Sequence, residues 1–211
     1  FTNDGSFTYN ESFEEYPNGW FRLSYTIPAA SPNHTLMGAF GSPADTIAAY
    51  YWGFQLEDSS YATSLIPTSG SQVTRAADVY TSTANLTETF EPRGLLIEEA
   101  RTNYTTNHNA TNQSSGATET VGVATAPDGT QTATRVAETT ANNRHIRYQA
   151  QNNFPANSTI SVFIKGETVR YVGVILHIGG GNLTPYIIDT QEGIITQTNP
   201  TGTLTSEKLE K

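Results

Sequence analysis

The sequence predicts an all-β fold, an antiparallel β-sandwich of jelly-roll type. Strand-length runs alternate apolar with polar residues, and Gly-, Pro- and Asn-bearing turns separate them. No convincing long amphipathic helix interrupts the pattern. Composition points the same way: hydrophobic residues are 36% of the 211-residue chain and charged residues only 15%, the rest being crowded with Thr, Asn, Ser, Gly and Ala. That mixture suits many short strands joined by turns.

In chain order, "EEYPNG" ahead of Trp20 supplies Pro and Asn-Gly turn chemistry, so a strand is expected to begin at Trp20. In "WFRLSYTIP", Phe21, Leu23, Tyr25 and Ile27 form a core face, leaving Trp20, Arg22, Ser24 and Thr26 on a wet one. "AAYYWGFQLE" alternates in the same way, with Tyr50, Trp52, Phe54 and Leu56 on one face and Tyr51, Gly53, Gln55 and Glu57 on the other. Trp52 is therefore expected to be buried. The Thr-, Asn- and Ser-rich stretches 81–89 and 105–120 read as exposed loops or linkers.

A Pro-Asp-Gly turn at 127–129 leads into two weaker strands, "TATRVAE" and "HIRYQAQ". "TISVFIKG", "RYVGVILHIG", "PYIIDT" and "GIITQT" follow as strands, the last two forming a hairpin around Gln-Glu-Gly. The C-terminal "LTSEKLEK" is expected to make a turn or two of helix or a frayed tail. The inner faces of the sandwich are assigned to Phe21, Leu23, Tyr25, Trp52, Phe54, Leu56, Val162, Ile164, Val174 and Leu176.

Several function classes are disfavoured. A formal net charge of -9 and a pI near 4.8 repel phosphate backbones, and no Lys/Arg cluster offsets this, so no nucleic-acid partner is expected. Cys is absent, which removes disulfides, thiolate metal sites and a Cys nucleophile together. No apolar run approaches the roughly 20 residues that span a bilayer, so no membrane insertion is expected. The chain opens on Phe1 rather than an initiator Met, as a fragment or a processed product would.

Catalysis is not expected either. Glu98 and Glu99 are adjacent, and on a strand they would point to opposite faces, so they cannot form the facing carboxylate pair of a glycosidase. There is no His pair at metal spacing, no phosphate loop and no Gly-x-Ser-x-Gly elbow. Asn-x-Ser/Thr sequons occur several times, for example at Asn10, Asn85, Asn109 and Asn157, mostly as chance gives in so much Asn and Thr.

"PRGLLIEEARTN" (92–103) resembles the opening of a carbohydrate-binding-module-like jelly-roll domain of bacteriophage tail fibre and other virion adhesion proteins. "TAPDGTQTATRVAE" (125–138), "TISVFIKG" and "YVGVILHIGGGN…YIIDTQEGIITQT" (171–198) are similar to the strands that follow in that domain. "NGWFRLSY" (18–25), "YYWGFQLED" (50–58) and "LIPTSGSQVTRAADVY" (65–80) resemble its closing half, yet they come first. The resemblance therefore divides the chain into a closing half at 1–80, a linker at 81–90 and an opening half at 91–211. Three arrangements fit: one circularly permuted domain, a window cut from tandem repeats, or halves completed by neighbouring chains.

The resemblance implies a non-catalytic virion module, in a tail or head fibre, that holds a host-surface glycan. Its expected partners are a surface glycan, other copies of itself in a homo-oligomer and other virion proteins, on the extracellular surface of the virion. The alternative is a purely structural fibre or decoration protein assembled by strand complementation between chains. No cofactor is expected; similar jelly rolls often carry a structural Ca²⁺, to which Glu98, Asp58 and Asp78 could contribute.

Sugar binding calls for an exposed aromatic ring flanked by hydrogen-bonding side chains. Trp20 and Arg22 share one face of their strand and are the first candidates. The competing reading, which is preferred, packs Trp20 under a loop at the sandwich edge and pairs Arg22 with a carboxylate. His145, Arg147 and Gln149 form a second polar strip, opposite Ile146, Tyr148 and Ala150, for which plain solvated surface is the competing reading. His177 is expected to be simply hydrogen-bonded.

Overall fold

The computed structural model describes residues 10–27, 33–40, 48–79, 97–109, 113–140, 145–152, 157–178, 181–182, 186–198 and 204–208. For residues 10–11, 27, 33–40, 113–115, 145–152, 175–178, 181–182, 186, 195–198 and 204–208 the description is of backbone alone.

Among these residues every regular element is a strand, apart from one 3-10 turn at Pro17–Gly19. The strands are β1 (Asn10–Tyr16), β2 (Trp20–Ile27), β3 (Asn33–Phe40), β4 (Ala48–Asp58), β5 (Val73–Arg75) and β6 (Arg101–Asn103). They continue with β7 (Gln113–Ser115), β8 (Ala117–Ala124), β9 (Ala133–Glu138), β10 (His145–Asn152) and β11 (Ser158–Gly166). The last five are β12 (Tyr171–Ile178), β13 (Gly181–Asn182), β14 (Tyr186–Asp189), β15 (Ile194–Thr198) and β16 (Leu204–Lys208).

A six-stranded antiparallel sheet runs in the order β1-β2-β11-β4-β9-β8. An eight-stranded sheet runs β16-β15-β14-β12-β3-β10-β7, with β13 on β12, and β5 pairs with β6 in a small ribbon. Strands from residues 10–58 alternate with strands from residues 113–208 in both large sheets: β2 and β4 flank β11, while β10 and β12 flank β3. The two halves are thus interleaved within one chain.

The main apolar cluster takes Phe21, Leu23 and Tyr25 from β2, Tyr51, Phe54 and Leu56 from β4, and Ile160, Val162 and Ile164 from β11. Val172 and Val174 of β12 and Ile188 of β14 belong to it too, so both large sheets contribute. Leu176, assigned to the same face, has its side chain outside the described residues.

Trp52 departs from its expected face. Gly53 has φ +67°, and the pairing of β4 with β11 slips between Ser161 and Phe163, so Gly53 and Phe54 together oppose Val162. This is a β-bulge built on a left-handed glycine, and it inverts the inward-outward alternation beyond it. Tyr51 and Phe54 therefore stack on one side, with ring centroids 6.4 Å apart, while Trp52 joins Trp20, Phe163, Ala126 and Ala133 in a second cluster on the other.

Two further expectations are corrected. The stretch 105–120 holds β7 and the start of β8, with Gly116 (φ +65°) at the corner where the chain leaves one sheet for the other. The C-terminal segment forms β16 on the edge of the eight-stranded sheet, because Ile194–Thr198 offers it an open backbone ladder. The stretch 81–89 lies outside the described residues.

Candidate functional site

The face of β2 expected to be wet is dry. Trp20, Arg22, Ser24 and Thr26 are all buried, with Trp20 only 1% exposed. The segment 59–68 covers them and is held by side chains of the sheet. Arg22 donates to Thr63 O at 2.6 Å and to Ser161 Oγ at 3.1 Å, and its guanidinium lies 5.2 Å from the centre of the Phe163 ring. Thr26 donates to Ser60 O, and Thr159 to Ser59 O.

Glu57, fully buried, accepts hydrogen bonds from Gln55 Nε2, from the Thr63 amide and from the Thr63 hydroxyl. The Gln55 carbonyl oxygen takes the Ile66 amide at 2.6 Å, while Asn103 Nδ2 donates to Ile66 O and Phe54 O. A covering loop has amides and carbonyls that no strand pairs, and buried polar groups of this kind need partners. The alternating Ser, Thr, Arg, Gln and Glu side chains supply them.

Trp20 is packed away, as the preferred reading had it, and not an exposed platform: its ring fills the second cluster and its Nε1 donates to Thr125 O at 3.2 Å. No carboxylate pairs with Arg22 among the described residues. For His145, Arg147 and Gln149 the backbone is placed in β10, where Arg147 is in register with Gly38 and Gln149 with Leu36; their side chains, like that of His177, lie outside the described residues. Glu98, nominated for calcium, accepts the Ser64 amide on one oxygen and Arg75 Nη1 on the other, at 2.7 and 2.6 Å. Asp78 accepts the Glu98 amide, and Asp58 is exposed at the end of β4. Among the described residues no three His, Cys, Asp or Glu gather where they could hold a metal ion.

The same face opens at its other end, beyond the reach of the covering loop. Lys165 of β11, Tyr50 of β4 and Arg135 of β9 lie side by side in register, followed by the exposed Thr120 of β8. Tyr50, Lys165 and Arg135 are each half-buried. Glu167, from the turn after β11, reaches over this row. One of its oxygens takes the Tyr50 hydroxyl at 2.6 Å and the other takes Arg135 Nε at 2.6 Å. The turn is pinned where the amides of Glu167 and Thr168 donate to Ala48 O and the Thr168 hydroxyl accepts the Ala48 amide. Gly166 permits the approach, since a Cβ there would collide with Thr190 Oγ1 and Val169 O.

No family model, curated protein or solved structure matches this chain.

Burial and then the hydrogen bond to Glu167 push the Tyr50 phenol above its ordinary value, so it stays protonated as a donor at neutral pH. A half-buried phenol ring between two cations, with a carboxylate fixed above it, combines an apolar surface with charged hydrogen-bonding groups. Sequence reasoning missed this row. Tyr50, Arg135 and Lys165 are scattered along the chain, and only the strand pairing makes them neighbours.

Proposed function

We propose that the chain is a non-catalytic module of a virion appendage, a tail or head fibre, that holds a host-surface glycan on the row Lys165–Tyr50–Arg135. In this reading the two large sheets form a jelly-roll sandwich and the chain sits on the virion surface, beside other copies of itself and other virion proteins. The observation that carries the glycan role is Tyr50, an aromatic ring left half-exposed between Lys165 and Arg135 on a rigid sheet. Sugars are held by stacking on such rings and by charged or amide groups at their rim. The virion setting rests on the resemblance of "PRGLLIEEARTN" and the segments that follow it to phage adhesin modules.

The alternative, fibre assembly by strand complementation between chains, draws less support, because strands of both halves are already paired within one chain. The test is a glycan array probed with the wild-type chain and with Tyr50→Ala. Specific glycan signals that vanish in the variant, with its melting temperature nearly kept, support the reading. An array with no signal, or a variant that binds like wild type, overturns it.

A further inference from the structure

Resting on that glycan reading, we infer that the row selects acidic sugars, with Arg135 taking the sugar carboxylate while Tyr50 meets the ring. The chain as a whole is acidic, with 11 Lys and Arg against 20 Asp and Glu, so two cations on one open row stand out. Arg135 spends only its Nε on Glu167, and its side chain is 34% exposed. Its two terminal nitrogens meet no carboxylate among the described residues, and the guanidinium also lies within hydrogen-bonding reach of the Tyr50 hydroxyl. The terminal edge of a guanidinium is planar and carries two parallel donors, which match the two oxygens of a carboxylate.

Lys165, on the other flank of Tyr50, makes no hydrogen bond or ion pair among the described residues. Neighbouring strands lie about 4.8 Å apart, so Lys165 and Arg135, one strand to either side of Tyr50, are separated by roughly 10 Å at the backbone. An anionic sugar over Tyr50 sits within reach of both.

Glu167 is the opposing charge. With its two oxygens turned to the Tyr50 hydroxyl and to Arg135 Nε, it holds the guanidinium beside the phenol, and the Arg135 side chain stays 34% exposed. The local charge of Arg135, Lys165 and Glu167 together is positive. A sulfate group would be drawn by the same charge, but its tetrahedral oxygens do not match the planar two-nitrogen edge, so the geometry favours a carboxylate.

The test measures retardation of the full chain in affinity gels containing polygalacturonate, polysialic acid, their carboxyl-reduced counterparts, dextran, or dextran sulfate. Retention by at least one carboxylate polymer is expected, falling about tenfold or more on carboxyl reduction and exceeding that on dextran sulfate. Arg135→Gln is expected to reproduce the loss. Lys165→Gln, which breaks no hydrogen bond or ion pair among the described residues, should weaken retention and flatten its salt dependence. Equal retention by the carboxyl-reduced polymers or by dextran, or indifference to Lys165→Gln, overturns the acidic-sugar inference and leaves the glycan reading standing. Retention by dextran sulfate as strong as by the carboxylates overturns the carboxylate match. Retention by none of these polymers overturns the inference, and a glycan array without signal would then sink the parent reading too.

Discussion

Tyr50 Oη donates to Glu167 Oε1 at 2.6 Å, which ties the third residue of β4 to the turn that follows β11. The phenol is raised above its ordinary value by burial, then by the hydrogen bond and charge of Glu167. A raised folded-state value stabilises the protein fully below the unfolded value of about 10, and that contribution is lost as pH climbs through the folded value. Thermal melts from pH 9 upward should therefore fall more steeply for wild type than for Tyr50→Phe. An ultraviolet titration of the variant should lose a late-titrating component that the wild type shows; equal curves would contradict the shift.

His108 works in the acid range. Burial is the main cause that lowers it below its ordinary value, against the opposing pull of Thr68 and Asp128. Its Nδ1 lies 2.9 Å from the Thr68 amide nitrogen, and its ring meets Trp52 edge to face at 6.0 Å. A lowered folded-state value means that stability is full above about pH 6.5 and is lost as pH falls through the folded value. The melting temperature of wild type should drop more between pH 7 and pH 5 than that of His108→Gln, and Asp128→Asn should steepen the wild-type slope.

Glu57 fastens the covering segment. Hydrogen bonds to charged groups contribute about 1.5–3 kcal/mol each, and Glu57→Ala would leave the Thr63 amide and Gln55 Nε2 without this acceptor. Hydrogen exchange at Thr63 should speed up markedly, with the strands β2 and β11 less affected. Unchanged protection at Thr63 would show that the carboxylate does not hold the loop.

Trp20→Ala and Tyr50→Ala should separate core from surface. Emptying the buried Trp20 site is expected to cost about 3–5 kcal/mol, a large share of the stability of a domain this size. Tyr50, half-exposed, should cost far less. Chemical denaturation measures both, and a mild Trp20→Ala would contradict the packing described here.

Gly53→Ala should destabilise by about 1–3 kcal/mol, because a left-handed φ of +67° is strained for alanine and its Cβ would lie 2.9 Å from Phe163 Cδ2. Gly129→Ala, also left-handed but with open space around the added carbon, isolates the backbone part of the cost. Comparing the two by thermal melts gives the steric share as the difference.

The sequence by itself determined where half of the strands lie, β2, β4, β9, β10, β11, β12, β14 and β15. Alternation and turn residues are local signals, and they placed the strands at 20–27, 48–58 and 158–166 and the Pro-Asp-Gly and Gln-Glu-Gly turns. It also showed that Phe21, Leu23 and Tyr25 share a core face. It named no strand at β1, β3, β5, β6, β8 or β13, and it missed β7 and β16, whose Thr- and Ser-rich or charged residues take strand form because an open ladder is next to them.

Only the tertiary structure decided which polar faces are wet. Arg22, Gln55 and Glu57 look like solvated residues in an alternating pattern, and the same pattern serves a face whose side chains hydrogen-bond a covering loop. The bulge at Gly53 was likewise hidden, since one left-handed glycine swaps the faces on either side of it without disturbing the local composition. The row Lys165–Tyr50–Arg135 exists because antiparallel pairing brings residues distant in the chain into register, and that pairing depends on the packing of the whole sheet rather than on any one segment.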